Sequence, residues 1–325
     1  MSTADIAWVL VGVGDVSCQY AFDYDVRDLV DRGSPCCFFL LCFLVCRQQH
    51  RRIRVRPTRK PHILLLRRRC CVSDLTTQAI LELHWSPNSP TIVTASADRT
   101  LGYWDANAGK RKKTFKGHTG VVNSCYISRT GNLIASGSDD GFVKLWDPRV
   151  RRSVAEFMNQ YQVTAVCLSR DDQQVMSGGI DNDIKVFDVR KLDLAFTMPG
   201  HTDTVTGLSL SPDGNHLLSN CMDNSVRMWD VRPFANENRL EKVFEGGQHG
   251  AEKNLLKCAW SPSGEMISAG SADQTVHIWD EPSTQELYFL PGHTGSVNEV
   301  TFHPTESIIG SCGSDKNIYL GEIGV

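Results

Sequence analysis

Six segments of the chain end in related strings at near-constant spacing, and this repetition constrains the fold more than any other feature. They are 97–105 (ADRTLGYWD), 139–147 (DDGFVKLWD), 180–188 (IDNDIKVFD), 222–230 (MDNSVRMWD), 272–280 (ADQTVHIWD) and 314–322 (SDKNIYLGE). In each, an Asp stands six residues before an aromatic position: Asp98, Asp140, Asp181, Asp223, Asp273 and Asp315. The aromatic positions are Trp104, Trp146, Phe187, Trp229, Trp279 and, without an aromatic, Gly321. They are spaced by 42, 41, 42, 50 and 42 residues, and the long interval is explained by extra loop residues after Asp230, including 233–240 (PFANENRL).

A second marker runs in phase with the first. Gly117-His118, Gly200-His201 and Gly292-His293 each place the His 28 residues before the aromatic position. The fifth unit has a looser form, Gly247-Gln248-His249, at 30 residues. Between the markers each unit repeats a short alternating run, a turn with Gly or Asp, and a strand of small residues. Period-two alternation bounded by turn residues means antiparallel sheet. No stretch of 73–325 has a sustained helical period.

This pattern resembles the WD-repeat family, whose unit of roughly 40–45 residues forms one four-stranded blade of a β-propeller. The resemblance covers Gln78 to Ile323 and predicts an all-β fold with six recognisable blades, where an intact family member is expected to have seven. It implies that His118, a Ser such as Ser136 or Ser138, Asp140 and Trp146 form a hydrogen-bonded chain inside one blade. The same structural role is implied for His201, Asp223 and Trp229, for His249, Asp273 and Trp279, for His293 and Asp315, and for Asp98, Trp104 and Asp181. Asp can accept several donors in a tight turn, and a buried indole N–H needs an acceptor. The recurrence of these residues at fixed phase argues against a Ser-His-Asp catalytic triad, which would occur once. In the third unit 158–161 (MNQY) replaces Gly-His and Phe187 replaces Trp, so its network is expected to be weaker or absent. No phosphate loop, His-Glu-x-x-His or Cys-x-x-Cys motif is present, so no catalytic residue, cofactor, metal or small-molecule substrate is expected.

Charge and cysteine content divide the chain into 1–72 and 73–325. Residues 1–72 hold 12 Lys and Arg against 6 Asp and Glu, a balance of +6, which leaves 22 against 31, or −9, for residues 73–325. Seven of the 12 Cys lie at or before Cys71. Cys125, Cys167, Cys221, Cys258 and Cys312 stand singly in strand-like runs, as small buried hydrophobes would, and indicate a reducing compartment. The leader, 1–72, carries an apolar block, 36–46 (CCFFLLCFLVC), then ten basic residues from Arg47 to Arg69. Eleven residues are short for a bilayer span, so no membrane association is expected, although an anchor with a positive flank stays open. Metal binding by Cys36, Cys37, Cys42 and Cys46, and RNA contact or a nuclear address in the Arg-rich run, also stay open. The preferred reading is that the leader is intron or out-of-frame sequence standing where a first blade belongs, and a disordered leader also stays open. A propeller closes when an upstream strand completes its last blade, so a closing strand is expected before the repeats.

Several strings are more particular: 178–186 (GGIDNDIKV), 217–224 (LLSNCMDN), 229–234 (WDVRPF), 252–258 (EKNLLKC) and 292–300 (GHTGSVNEV). Together they resemble one branch of the family, the WD-repeat subunits of the spliceosomal U-five small nuclear ribonucleoprotein. That resemblance implies a nuclear, non-catalytic scaffold of pre-mRNA splicing. Its partners would be spliceosomal proteins, chiefly the large scaffold subunit of that particle, with only indirect association with snRNA and pre-mRNA. At −9 the repeat region is not expected to grip RNA through phosphates alone. Candidate partner contacts are the loop residues Tyr161, Asn182, Arg232, Phe234 and Asn254. Two other classes remain. One is a substrate receptor of a cullin-type ubiquitin ligase, suggested by the Asp-x-Arg runs 147–149, 188–190 and 230–232. The other is a hydrolase using a central channel, for which no convergent acidic or His set is visible.

Overall fold

The computed structural model describes residues 8–11, 78–235 and 238–323. Apart from β1 (Trp8–Val11), the leader with its block 36–46 and its basic run lies outside the described residues. The strands form six four-stranded sheets, which are the blades of an all-β propeller. By contact density the chain divides into two compact units, residues 48–208 and residues 1–47 with 209–325.

The unit of residues 48–208 contains the first three sheets. Sheet one is β2 (Ile80–Trp85), β3 (Thr91–Ser96), β4 (Thr100–Asp105) and β5 (Lys110–Lys116). Sheet two is β6 (Val122–Ile127), β7 (Ile134–Ser138), β8 (Phe142–Trp146) and β9 (Ser153–Met158). Sheet three is β10 (Val163–Leu168), β11 (Gln174–Gly179), β12 (Ile184–Asp188) and β13 (Asp193–Met198). Each strand pairs antiparallel with the next.

The residue pattern explains the place of each strand. β7 is buried at all five positions and β3 at all six, because both faces of these small-residue strands are covered. The last strand of sheet two, β9, alternates: Val154, Glu156 and Met158 are exposed while Ala155 and Phe157 are buried. An apolar layer fills the space between blades: Val143, Leu145 and Phe157 of sheet two pack with Val163, Val166, Val175 and Phe187 of sheet three. The spacing is tight at Gly137, where a Cβ would lie 2.5 Å from Val163 Cγ1. The pairing of third and fourth strands shifts register at each marker aromatic here, between Tyr103 and Trp104, Leu145 and Trp146, and Val186 and Phe187. Such bulges re-aim a side chain, here the aromatic ring.

In the other unit, β15 (His216–Cys221), β16 (Ser225–Asp230) and β17 (Leu240–Glu245) belong to sheet four. The first strand of that sheet, β14 (Val205–Leu210), spans the division between units. Sheet five is β18 (Cys258–Trp260), β19 (Met266–Gly270), β20 (Thr275–Asp280) and β21 (Glu286–Pro291). Sheet six is β22 (Val297–Phe302), β23 (Ile308–Gly313) and β24 (Ile318–Glu322), and its fourth strand is β1. Trp8 pairs with Gly321 and Val11 with Ile318 in an antiparallel register, so the closing strand expected upstream is Trp8–Val11. The boundary drawn at 72/73 therefore leaves one blade strand in the leader. Val276, Ile278 and Leu290 of sheet five pack with Val297, Val300 and Ile309 of sheet six. Cys125, Cys167, Cys221, Cys258 and Cys312 are all free and buried, and burial pushes the Cys258 thiol up to about 12.

Candidate functional site

The marker Asp of each unit sits in the turn between second and third strands, and its first task is local. Oδ1 of Asp98, Asp140, Asp223, Asp273 and Asp315 accepts the backbone N–H two residues on, at 3.0–3.1 Å. The intervening residue is left-handed: Arg99 (φ 68°), Gly141 (76°), Asn224 (64°), Gln274 (73°) and Lys316 (67°). Asn182, after Asp181, has the same conformation at φ 64°. Asn tolerates this region better than most residues, so its conformation accounts for Asn182 without any partner.

The second sheet holds a complete chain of hydrogen bonds. Trp146 Nε1–H donates to Ser136 Oγ at 2.8 Å, and Ser136 Oγ lies 2.8 Å from His118 Nε2. His118 Nδ1 lies 2.8 Å from Asp140 Oδ2. A carboxylate only accepts, so Nδ1 carries the proton and Nε2 accepts from Ser136. Ser138 instead accepts the Asp140 N–H at 3.2 Å. Burial holds the His118 pKa below its ordinary value, against the pull of Asp140, so the imidazole is neutral. Burial pushes the Asp140 carboxyl up, but the Thr119 N–H and His118 outweigh it and hold it below the usual carboxylate value. This is a satisfied, pinned network inside the blade, with Ser136 fully buried.

The sixth sheet repeats the arrangement without an indole. His293 Nδ1 is 3.0 Å from both Asp315 oxygens and Nε2 is 2.9 Å from Ser311 Oγ. Tyr319 takes the vacant space, with its ring edge-on to His293 at 4.5 Å and its hydroxyl donating to Gly292 O at 2.8 Å. Gly292 itself has φ 151°, where a side chain would be strained.

Sheets one, three and five depart from the expected sets. Trp104 donates to Thr94 Oγ1 at 3.0 Å, under the Arg111 guanidinium at 5.0 Å, and Asp98 accepts from Thr100. In sheet three Asn159 occupies the His position. Its side chain meets Ser177 at 3.3 Å and Asp181 at 3.5 Å, while Lys185 pairs with Asp181 at 2.5 Å. Phe187 makes no such bond and packs on Phe157, ring centroids 5.1 Å apart. In sheet four Trp229 donates to Ser219 Oγ at 2.8 Å, and Asp223 takes Ser225 and Arg227. His201 is buried in the other unit.

Sheet five differs most. His249 reaches Asn220 Oδ1 at 3.2 Å. Asp273 is met instead by His277 of β20, whose Nε2 lies 2.9 Å away. His277 Nδ1 lies 2.5 Å from Glu286 Oε1. Trp279 donates to the backbone carbonyl of Glu245 at 3.0 Å. His277 was not among the sequence candidates, although it alternates in phase with Trp279 along β20 and so shares its face.

The loop candidates separate into two groups. Tyr161 is 57% exposed and Phe234 is 99% exposed, as free contact residues would be. Arg232 forks onto Asp230, with Nε at 2.9 and 3.0 Å from the two oxygens, and Arg149 forks onto Asp147 in the same way. Asn254 is spent internally, donating to Ser296 Oγ at 2.8 Å and Glu252 Oε2 at 3.0 Å. Among the described residues no helix is long and apolar enough to cross a membrane.

The WD domain, G-beta repeat family matches residues 69–105, 109–147, 152–188, 192–230, 240–280 and 284–320. The chain belongs to the WD-repeat family. Within this family it is similar to the U5 small nuclear ribonucleoprotein 40 kDa protein of Dictyostelium discoideum, 56% identical over 75% of this chain and 69% of that one. The Homo sapiens protein of the same description is 55% identical over 67% of this chain and 62% of its own length. Pre-mRNA-splicing factor cwf17 of Schizosaccharomyces pombe is 47% identical over 75% of this chain and 72% of that one. The blade markers described above are WD-repeat features, and they occupy the matched segments.

Proposed function

We propose that this WD-repeat chain is a non-catalytic interaction scaffold of the U5 small nuclear ribonucleoprotein that acts in pre-mRNA splicing. The observation that carries the proposal is 55–56% identity to proteins described as the 40 kDa component of that particle. Relatives of that description imply a nuclear protein. The chemistry of the blades agrees. The His-Ser-Asp sets are internally satisfied and recur in more than one sheet, so they act as framework. The finer reading is that the scaffold docks on the large central protein of the particle and associates with snRNA and pre-mRNA chiefly through it. Exposed Tyr161 and Phe234 are the contacts we assign first, because aromatic side chains make strong interface anchors.

The test is a tagged full-length chain recovered from nuclear extract, read by mass spectrometry and RNA blot. Recovery of U5 RNA with the large scaffold protein supports the proposal. Recovery of a cullin adaptor without spliceosomal proteins overturns it in favour of a ligase receptor.

A further inference from the structure

The net charge of the repeat region conceals a strongly basic edge in the unit of residues 48–208. Segments 105–116 and 147–152 together hold eight Lys and Arg against two Asp, a balance of +6 within a region whose sum is −9. The fold brings the two segments together. Lys113 of β5 donates to the carbonyls of Pro148 and Val150, the latter at 3.1 Å, in the turn between β8 and β9. Arg149, Arg151 and Arg152 of that turn are exposed, as are Lys110 and Lys112 of the neighbouring strand. Both Asp residues are already paired, Asp105 with Lys112 at 3.0 Å and Asp147 with Arg149 at 2.7 Å. Lys110, Arg151 and Arg152 have no acidic partner among the described residues.

The same unit concentrates acid elsewhere. The turns between its second and third strands carry Asp98, Asp139, Asp140, Asp181 and Asp183. Strand direction places these turns at the opposite ends of the third strands from the basic turn, so each blade has an acidic end and the β5 edge a basic one. Separated charge of this kind creates a local field that the net charge does not report.

We propose that the rim formed by β5 and the β8–β9 turn binds the phosphate backbone of RNA without reading its bases. Phosphate is favoured because the rim offers clustered cations and, among the described residues, no fully exposed aromatic ring on which bases could stack. Trp104 is buried beneath Arg111, Phe115 is buried in the core, and Tyr103 is half-buried against it. Single-strand binders that hold bases use exposed aromatics, whereas contact through cations alone is tolerant of sequence and strongly salt-dependent. The proposal is independent of the splicing assignment, since binding is read directly on purified protein.

The experiment is fluorescence anisotropy of the full chain with two short RNA duplexes of unrelated sequence over a range of salt, alongside the variant Lys110→Ala/Arg151→Ala/Arg152→Ala. The expected result is equal affinity for the two duplexes, with the log of the affinity falling linearly with log salt. The variant should bind about tenfold or more weakly and lower the salt slope by about 2–3. Its thermal midpoint should match wild type, because the three side chains are exposed. Unchanged affinity and slope would overturn the proposal and assign any binding to the basic run 47–69. Displacement of RNA by polyglutamate at equal charge concentration would also overturn it, in favour of an acidic protein partner.

Discussion

The imidazole of His277 lies flat against the indole of Trp279, with ring centroids 5.6 Å apart and 14° between the planes. Its two nitrogens are held by Asp273 and Glu286. His277 therefore does for sheet five what His118 and His293 do for their sheets, but it reaches the Asp from the third strand and not from the loop before the blade. His277→Ala leaves two carboxylates beside a cavity and should cost about 2–4 kcal/mol. His249→Ala removes a longer bond to Asn220 and should cost about 0.5–1.5 kcal/mol. Urea unfolding of the two variants compares them, and an equal loss would contradict the assignment.

The chain through Ser136 should behave as a unit. Trp146→Phe removes one donor and His118→Gln disturbs the next link. Each alone should cost about 1–3 kcal/mol, and the double variant should cost clearly less than the sum. A double-mutant cycle from denaturant midpoints measures the coupling, and strict additivity would refute a shared network.

Acid should weaken the fold in a defined order. Burial holds His118 and His293 below the ordinary histidine value of 6.5, against Asp140 and Asp315. The folded state thus favours neutral imidazole. Its contribution is complete above the ordinary value and is lost as pH falls from there through the lowered folded values. Burial pushes Asp315 up as it does Asp140, and backbone N–H groups with the paired His outweigh it. Those carboxylates hold their contribution until pH falls below the ordinary 3.8 and through their own lowered values. The unfolding midpoint should decline as pH falls below about 6.5 in wild type, and less steeply in His118→Gln/His293→Gln.

Packing between blades should be intolerant at Gly137. A Cβ there would sit 2.5 Å from Val163 Cγ1 and 2.8 Å from Val166 Cγ1. Gly137→Val should destabilise by at least about 1–3 kcal/mol through overpacking. Thermal unfolding measures this, and an unchanged midpoint would show that the two sheets can separate at no cost.

Exposure and internal bonding give the loop residues different expected phenotypes. Tyr161→Ala and Phe234→Ala should leave stability within about 0.5 kcal/mol, while reducing recovery of the partner protein from nuclear extract. Asn254→Ala should lower stability instead, by about 0.5–1.5 kcal/mol, because it loses bonds to Ser296 and Glu252. Normal partner recovery with the double variant Tyr161→Ala/Phe234→Ala would remove both from the interface.

The six blades were legible because each unit repeats its turn chemistry. An Asp that accepts the N–H two residues on, followed by a left-handed residue, is a local device that needs only neighbouring chain. The departure of sheet three was legible too, since a Phe has no N–H and 158–161 stands where Gly-His is expected, although only the structure shows Asn159 meeting Ser177 and Asp181. The partner of Asp273 was not. His249 and His277 both lie within reach in sequence, and the choice between them depends on loop path and on the space beside Trp279.

The residues by themselves determined the repeat, the all-β class, the antiparallel order within each blade and the turn geometry at the marker Asp, because all of these are set by contacts a few residues apart. Only tertiary structure decided that Trp8–Val11 completes sheet six, that His277 rather than His249 serves Asp273, and that Lys113 brings two basic segments into one rim. The first and last of these join residues tens to hundreds apart, while His277 lies only four residues from Asp273 and is selected by the space beside Trp279; such contacts depend on how strands stack and which groups a neighbouring strand presents, which no local propensity encodes.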